Sequence, residues 1–235
     1  MKSLYTILLL GSISIPLVLS FDQKLQFYRQ WKYLMPSLLI VALVYIAFDY
    51  YLTEQGVWGF NLRYHSGITG LGLPLEEWLF FILIPYASIF LHDAIVLYFN
   101  QLKPGRNITT TVSIILIGLS LTVVLLNPEK TYTFYILTST VVALLLSWFD
   151  KSAIISRFYL TFPIILIPFV IVNGILTGSM IDEPVVWYNN EANLGIRFIT
   201  IPIEDFAYAF SLIFFNLLVR AKLKDLFNKP AHPLL

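Results

Sequence analysis

An acidic motif occurs twice in this chain, and its residue types are those that carry out proton transfer. The first copy is Pro74-Leu75-Glu76-Glu77, and the second is Pro202-Ile203-Glu204-Asp205. A carboxyl at the edge of a hydrophobic region, beside other carboxyls, is expected to keep its proton, because burial and like-charge repulsion both disfavour the anion. Such an acid can protonate a substrate near neutral pH. The candidate catalytic residues are Glu76, Glu77, Glu204 and Asp205.

Aromatic residues follow both acidic pairs. The faces of aromatic rings stabilise a developing cation through their quadrupoles. A neutral acid with aromatic walls and little water suits the protonation of an alkene, whereas hydrolysis would need water in the site. The aromatic candidates are Trp78, Phe80, Phe81, Phe206, Tyr208 and Phe210.

A structural interpretation of the motif is also open. Proline is harmless just before a helix, and the helix dipole favours acids in the first turn by a few tenths to about 1 kcal/mol. Acids in such places can simply cap and anchor a helix. Two observations favour the functional interpretation. The motif occurs twice, and ionisable groups at a hydrocarbon boundary are energetically costly and are therefore usually functional.

Residues upstream of each motif form a supporting set. Asp49 and Asn173 occupy equivalent places near the ends of two apolar runs, and Asp49 either forms a structural ion pair or completes an acid network. Tryptophan near a membrane surface is more often an anchor than a catalyst. The loop candidates are Trp58, Asn61, Glu183, Trp187, Asn189 and Asn190.

The composition indicates a membrane protein. Hydrophobic residues make up 58% of the chain and charged residues 12%, with a mean hydropathy of +0.78, whereas a soluble domain has about a quarter charged residues. A net charge of +1 predicts no nucleic-acid partner. The lack of cysteine excludes disulfides, thiolate metal sites and cysteine nucleophiles. His65, His92 and His232 show no metal-ligand spacing, so no metal is predicted.

Seven apolar runs approach or exceed the roughly 17–25 residues that a spanning helix needs. They predict an all-α integral membrane protein in the lipid bilayer, with the acidic motifs at the starts of the third and seventh helices. The runs are Leu4–Ser20, Tyr33–Leu52, Glu76–Phe99, Thr110–Leu126, Tyr132–Phe149, Ile154–Leu176 and Glu204–Val219.

The basic residues predict the orientation, because Lys and Arg prefer the cytoplasmic side. An N-out, C-in arrangement leaves only Lys2, Arg63, Lys130 and Arg197 outside. A cleaved signal peptide over the first run is the alternative, and it would put the basic segment 24–32 outside, against this rule. The inner set is Lys24, Arg29, Lys32, Lys103, Arg106, Lys151, Arg157, Arg220, Lys222, Lys224 and Lys229.

The motif belongs to a longer internal repeat. Glu204 follows Glu76 by 128 residues, as Gly195 follows Gly67, and the loops align Trp58 with Trp187. The predicted copies are 1–99 and 132–235, joined by a linker helix in 100–131. Four helices separate equivalent positions, so the copies are parallel and related by an axis along the membrane normal. Both motifs then lie at one depth, and we hypothesise one composite site in which acids of the third and seventh helices share a proton.

The stretches 56–61 and 72–81 resemble the integral-membrane lycopene cyclase domain, as do 183–190 and 201–205. The resemblance covers nearly the whole chain, including the loop 27–32. It is to the form in which the two subunits of heterodimeric relatives are fused into one chain, without a phytoene synthase. It implies a multi-pass protein of a prokaryotic cell membrane, with a carotenoid substrate and other carotenoid-pathway enzymes as candidate partners.

The resemblance also implies an activity, which is the conversion of lycopene through γ-carotene to β-carotene without net redox change. The resemblance implies that the four acids are the catalytic candidates and that Trp58, Asn61, Trp187 and Asn189 surround and support them. It leaves open which acid donates the proton. The chain has no G-x-G-x-x-G fingerprint of a dinucleotide site, and no cofactor is predicted.

Two other classes of function remain as alternatives. Seven helices with the N-terminus outside also suggest a retinal- or carotenoid-binding protein. A retinal Schiff base, however, needs a lysine in the middle of the last helix, whereas Lys222 and Lys224 lie at its inner end. A transporter also suits parallel repeats, but its acids would be expected near the midplane.

Overall fold

The computed structural model describes residues 2–101, 103–150 and 152–228. Lys151 and Lys229 of the predicted inner set, and His232, lie outside the described residues. All seven predicted helices are present in the described part, although α7 continues past the predicted end at Val219. The helices are α1 (Leu4–Leu19), α2 (Trp31–Glu54), α3 (Leu75–Tyr98), α4 (Arg106–Leu126), α5 (Thr131–Ser147), α6 (Ile154–Leu176) and α7 (Glu204–Phe227).

Five of the helices in the described residues are long and apolar enough to cross a membrane. These are α2 with the turn before it, α3, α4, α6 and α7. The remaining two, α1 and α5, are apolar but have 16 and 17 residues, at the lower limit of the roughly 17–25 residues of a span. Both short helices begin close to the acidic motifs, and each packs along a longer neighbour.

The two halves of the helical bundle interlock. In the first half α1 packs along α3, and in the second α5 packs along α7; across the halves, α2 packs against α7 and α3 against α6. Phe158, Phe210 and Phe214 meet at the centre, with ring centroids 5.0–5.8 Å apart. Because lipid tails are as apolar as these rings, close packing rather than exclusion of water holds such helices together.

The loops before α3 and α7 contain short strands that the all-α prediction did not include. Buried backbone N–H and C=O groups must be paired. The short strands supply these hydrogen bonds in the loops that cover the acidic motifs. The strands are β1 (Trp58–Phe60), β2 (Thr69–Gly70), β3 (Leu73–Pro74), β4 (Val186–Tyr188), β5 (Arg197–Phe198) and β6 (Ile201–Pro202).

Strands β1 and β4 form an antiparallel ribbon that joins the two halves, with Gly59 opposite Trp187. The backbone N–H of Asn61 donates to Val185 and that of Asn189 donates to Val57, both at 2.9 Å. These bonds are equivalent across a local two-fold axis through the central pair. The predicted alignment of Trp58 with Trp187 is therefore wrong by one residue. Trp187 corresponds to Gly59, where an added Cβ would overlap the Trp187 indole.

Two hairpins of equal register lead into the acidic motifs. Thr69 pairs with Pro74, and Arg197 pairs with Pro202, each residue lying 128 positions after its counterpart. Both turns contain a residue with positive φ, at Leu71 and Ile199. A side chain in that conformation costs on the order of 1–3 kcal/mol, so its recurrence indicates that both turns are held tightly against the helix starts.

Candidate active site

The two carboxyls of each motif lie in different surroundings. Glu76 and Glu204 are each 2% exposed, and each accepts hydrogen bonds from its preceding loop and from a threonine on α1 or α5. The first acid of each pair therefore fastens the loop onto the helix. The donors are the Ser66 N–H (2.8 Å) and Thr6 hydroxyl (2.8 Å) to Glu76, and the Leu194 N–H (2.8 Å) and Thr133 hydroxyl (2.7 Å) to Glu204.

The second acids, Glu77 and Asp205, line one cavity of about 650 Å³. The Tyr5 hydroxyl donates to Glu77 Oε2 at 2.5 Å, and the Tyr132 hydroxyl donates to Asp205 Oδ1 at 2.5 Å. The same tyrosine–acid pair thus occurs in both halves of the chain. Because both acids face one space, the cavity is built by the two halves together.

Asp205 has two further donors at its other oxygen. Asn173 Nδ2 lies 2.8 Å from Oδ2, and the Tyr188 hydroxyl lies 3.0 Å from the same atom. Burial and the neighbouring Asp205 raise the pKa of the Tyr188 phenol well above its usual value, so this phenol keeps its hydrogen and remains a donor.

Asp49, the counterpart of Asn173 in the first half, lines the same cavity as Glu77. The side chain is 2% exposed, and its Oδ2 has no hydrogen-bond partner among the described residues. The nearby Trp58 indole N–H also has none there. An unpaired buried polar atom costs about 1–3 kcal/mol, so this half of the site is less fully paired than the half around Asp205.

The walls of the cavity are mainly apolar and aromatic. Phe60, Phe80, Phe169 and Tyr208 contribute rings, and α1 and α6 contribute aliphatic side chains. Among the lining residues, Ile7 on α1 and Ile171 on α6 are 62% and 61% exposed on the outside of the bundle. The cavity therefore opens to the side of the bundle between α1 and α6, and apolar side chains border this opening. A lipid-soluble molecule could enter the cavity through such an opening.

A second cavity of about 480 Å³ lies among α2, α5 and α7. It shares the wall formed by Asp49, Trp58 and Tyr208 with the first cavity. Five of its six lining positions on α5 follow a lining position of α1 by 127 residues, with Ile136 as the exception, so the two cavities are counterparts across the local two-fold axis. The α5 positions are Phe134, Tyr135, Thr138, Ser139 and Val142; the α1 positions are Ile7, Leu8, Gly11, Ser12 and Ile15.

A family model described as lycopene cyclase matches residues 2–95 and, a second time, residues 129–223. This chain belongs to the lycopene cyclase family. The predicted resemblance to the fused form is confirmed, since the family domain occurs twice in one chain. No curated protein and no solved structure matches the chain.

Membership of the lycopene cyclase family supports a carotenoid cyclase, and thus an enzyme with a carotenoid substrate. The family and the apolar helices together indicate a membrane protein. The cavity agrees with such a substrate, because its lining is mostly hydrocarbon with a few carboxyl, hydroxyl and amide groups.

The residues proposed from sequence for this lycopene cyclase site fall into two groups. Those that line the cavity beside Glu77 and Asp205 are Asp49, Trp58, Phe80, Asn173 and Tyr208. Those that lie outside its lining are Glu76, Glu204, Asn61, Trp78, Phe81, Glu183, Trp187, Asn189, Asn190, Phe206 and Phe210.

The outer group stabilises the loops and the packing around the site. Asn61 donates to Glu183 at 2.9 Å, and the Trp78 indole donates to the Gly70 carbonyl at 3.1 Å. The Asn189 side chain accepts the Glu191 N–H at 2.9 Å. Phe81 packs beside Tyr45, and Trp187 covers Gly59 with 45% of its surface exposed.

Sequence reasoning missed three tyrosines that hold the carboxyls, namely Tyr5, Tyr132 and Tyr188. A signal for two of them was present. Tyr5-Thr6 recurs as Tyr132-Thr133 at a separation of 127 residues, close to the separation of the acidic motifs. Extending the repeat comparison into the first and fifth helices would have found both pairs.

The hypothesis of a proton shared directly between the two motifs stays a prediction. Although α3 and α7 are in contact, no hydrogen bond joins Glu77 to Asp205 within the described residues. Each of these acids instead accepts a hydrogen bond from a tyrosine of the short helix beside it, Tyr5 on α1 for Glu77 and Tyr132 on α5 for Asp205.

Proposed function

We propose that this chain is a lycopene β-cyclase, which converts lycopene through γ-carotene to β-carotene by isomerisation. The observation that carries the proposal is that Glu77 and Asp205, one from each half of the chain, line the same apolar cavity. Ring closure needs one proton to be added and one to be removed, and these two carboxyls can act as acid and base.

The chemistry requires no electron donor. A carboxyl protonates C2 of the terminal C1=C2 double bond, which leaves a cation at C1. The C5=C6 double bond attacks C1, and loss of the proton from C6 forms the ring double bond. General acid–base catalysis contributes about 10²–10⁴-fold in rate, and aromatic faces stabilise the cation by about 0.5–2 kcal/mol.

The aromatic lining supports the cationic intermediates. Trp58 and Tyr188 lie edge to face at 6.0 Å, and Tyr208 and Phe80 belong to the same wall. The apolar surroundings keep water away from the cation, because water would add to the cation and form an alcohol instead of a ring. The sideways opening lets an end group enter from the bilayer while the rest of the polyene stays in lipid.

We further propose the membrane arrangement that the charge pattern predicts. All seven helices would cross a prokaryotic cell membrane with the N-terminus outside and the C-terminus inside. The repeats 1–99 and 132–235 would be related by an axis along the membrane normal, with 100–131 as the linker. The local two-fold axis through Gly59 and Trp187 supports this relation, because it joins loops that both precede an acidic motif.

The two alternative functions have less support. The four motif acids lie in the first turns of α3 and α7, at the ends of helices, whereas a transporter is expected to hold its acids near the midplane. A retinal site needs a lysine in the cavity, and the lining residues of both cavities in the described chain include none.

Expression in lycopene-accumulating cells tests the activity. We expect red lycopene to be converted to orange-yellow β-carotene, with γ-carotene as intermediate, and we expect purified protein in lipid to work without added flavin or nicotinamide. Lycopene that stays unchanged in membranes shown to contain the folded protein would refute the cyclase. A strict need for reduced flavin would refute the acid–base scheme.

A further inference from the structure

The two halves of the site differ at one position that decides where an exchangeable proton can reside. In the second half, Asn173 donates to Asp205 at 2.8 Å. In the first half, the counterpart of Asn173 is Asp49, and it lines the same cavity as Glu77. The first half therefore pairs two carboxyls where the second pairs an amide with a carboxyl.

An amide and a carboxyl differ as donors. The amide of Asn173 always has hydrogens to donate, whereas the carboxyl of Asp49 can donate only while it is protonated. Asp205 accepts from Asn173, Tyr132 and Tyr188. An ionised carboxylate satisfies all three donors, and a carboxylate is the form that can accept a proton.

The surroundings of Asp49 and Glu77 contain few donors. Tyr5 gives Glu77 its hydrogen bond, and Oδ2 of Asp49 has no partner among the described residues. The ion pairs of the described residues involve Arg63 and Arg220 and leave these acids without a cation. The titratable groups that face the pair from other elements are Tyr5 on α1, Tyr188 on β4, and Tyr208 and Asp205 on α7. Two carboxyls in such a site rarely ionise together.

On the basis of the cyclase activity proposed above, we propose that the two halves have different tasks. The first half supplies the proton: Glu77 and Asp49 form a carboxyl pair that shares one proton, and Glu77 is the acid that delivers it. The second half removes the proton, with Asp205 as the base. Each half of the duplicated chain thus performs one of the two proton transfers.

The proton balance of this scheme closes within the site. Glu77 gives its proton to C2 of the substrate, the C1–C6 bond forms, and Asp205 takes the proton from C6 as the ring double bond forms. Tyr188 donates to Asp205 at 3.0 Å and lines the same cavity as Asp49 and Glu77. Its hydroxyl is thus placed to pass a proton from Asp205 back to the first pair.

Exchanging the two residues at the distinguishing position tests the assignment. Asp49→Asn makes the first half resemble the second, and we expect a rate loss of at least tenfold at neutral pH, with activity recovering as the pH falls. The double variant Asp49→Asn/Asn173→Asp places a carboxyl pair in the second half, and we expect it to be at least tenfold faster than Asp49→Asn alone. The exposed Glu129→Gln is the control. An unchanged pH profile in Asp49→Asn, or a double variant no faster than the single one, would overturn the assignment.

Infrared difference spectra test the proton location without turnover. We expect a carboxylic acid C=O band at neutral pH in the wild-type protein and in Asp205→Asn, and its loss in Asp49→Asn and in Glu77→Gln. Asn173→Asp should add a second band. Loss of the band in Asp205→Asn, or its persistence in Asp49→Asn, would refute the division of tasks. Because this measurement needs no substrate, its outcome is separate from that of the lycopene cyclase assay.

Discussion

The hydroxyl of Tyr5 lies 2.5 Å from Oε2 of Glu77, although 72 positions separate the two residues. This bond joins the start of α1 to the start of α3, and Tyr132 and Asp205 repeat it between α5 and α7. The tyrosine limits where the carboxyl can point, and so the short helices α1 and α5 control the two acids that face the cavity.

Removal of either tyrosine hydroxyl is expected to slow cyclisation. Tyr5→Phe and Tyr132→Phe each remove one donor to a cavity carboxyl while keeping the ring. An ordinary hydrogen bond is worth about 0.5–1.5 kcal/mol and one to a charged group about 1.5–3 kcal/mol. In lipid-reconstituted protein we therefore expect a rate loss of about three- to tenfold in Tyr5→Phe, where Glu77 is the acid, and of at least tenfold in Tyr132→Phe, where Asp205 is the charged base. Tyr28→Phe, on an exposed ring, is the matched control. Wild-type rates in both variants would show that the hydroxyls do not orient the acids.

Substitutions of the two adjacent glutamates of the first motif are expected to affect different properties, namely activity at Glu77 and stability at Glu76. Glu77→Gln keeps the fold and removes the acid, so the yield of folded protein should stay normal while cyclisation falls by about 10²–10⁴-fold. Glu76→Gln weakens the bonds to Ser66 and Thr6, so melting temperature and yield should fall. Rates per folded molecule, measured beside thermal melting in detergent, separate the two. Equal catalytic loss at equal stability would contradict the difference in role.

If one acid and one base in one cavity serve both ring closures, the carotenoid that accumulates in each variant can be predicted. Glu77→Gln and Asp205→Asn should each block both ring closures, because either change removes one of the two proton transfers that every ring needs. Pigment analysis should then find lycopene, with neither γ-carotene nor β-carotene. Accumulation of γ-carotene in one of these variants would instead mean that each half closes one ring on its own.

Filling the side opening is expected to exclude the substrate. Gly11 lines the cavity on α1, and an added side chain meets nothing within 4 Å there, so Gly11→Leu should fold normally and narrow the space between α1 and α6. We expect an increased KM for lycopene or a loss of activity. Gly118→Leu is the matched control, since Gly118 on α4 is also open and lies away from both cavities. Equal activity in the two variants would place substrate access elsewhere.

The amino-acid sequence by itself determined the helices, the duplication and the family. Runs of apolar residues long enough for a bilayer have few alternatives to helix, because lipid offers no partner to an unpaired backbone group. The acidic motifs were visible because their residue types recur at a constant separation. The same comparison placed Asp49 and Asn173 in equivalent positions, and in the structure both line the cavity of Glu77 and Asp205.

Only the tertiary structure decided which acid of each pair faces the cavity. Glu76 and Glu77 are neighbours in sequence, but successive residues on a helix point about 100° apart, so one turns to the loop and the next to the cavity. The rotation of α3 is set by the packing of α1 along it, with Thr6 bonded to Glu76 across 70 positions, and by the bond of Glu76 to the Ser66 N–H, 10 positions before it. The ribbon register depends likewise on Gly59 leaving room for Trp187, a steric fit between residues that are distant in the chain.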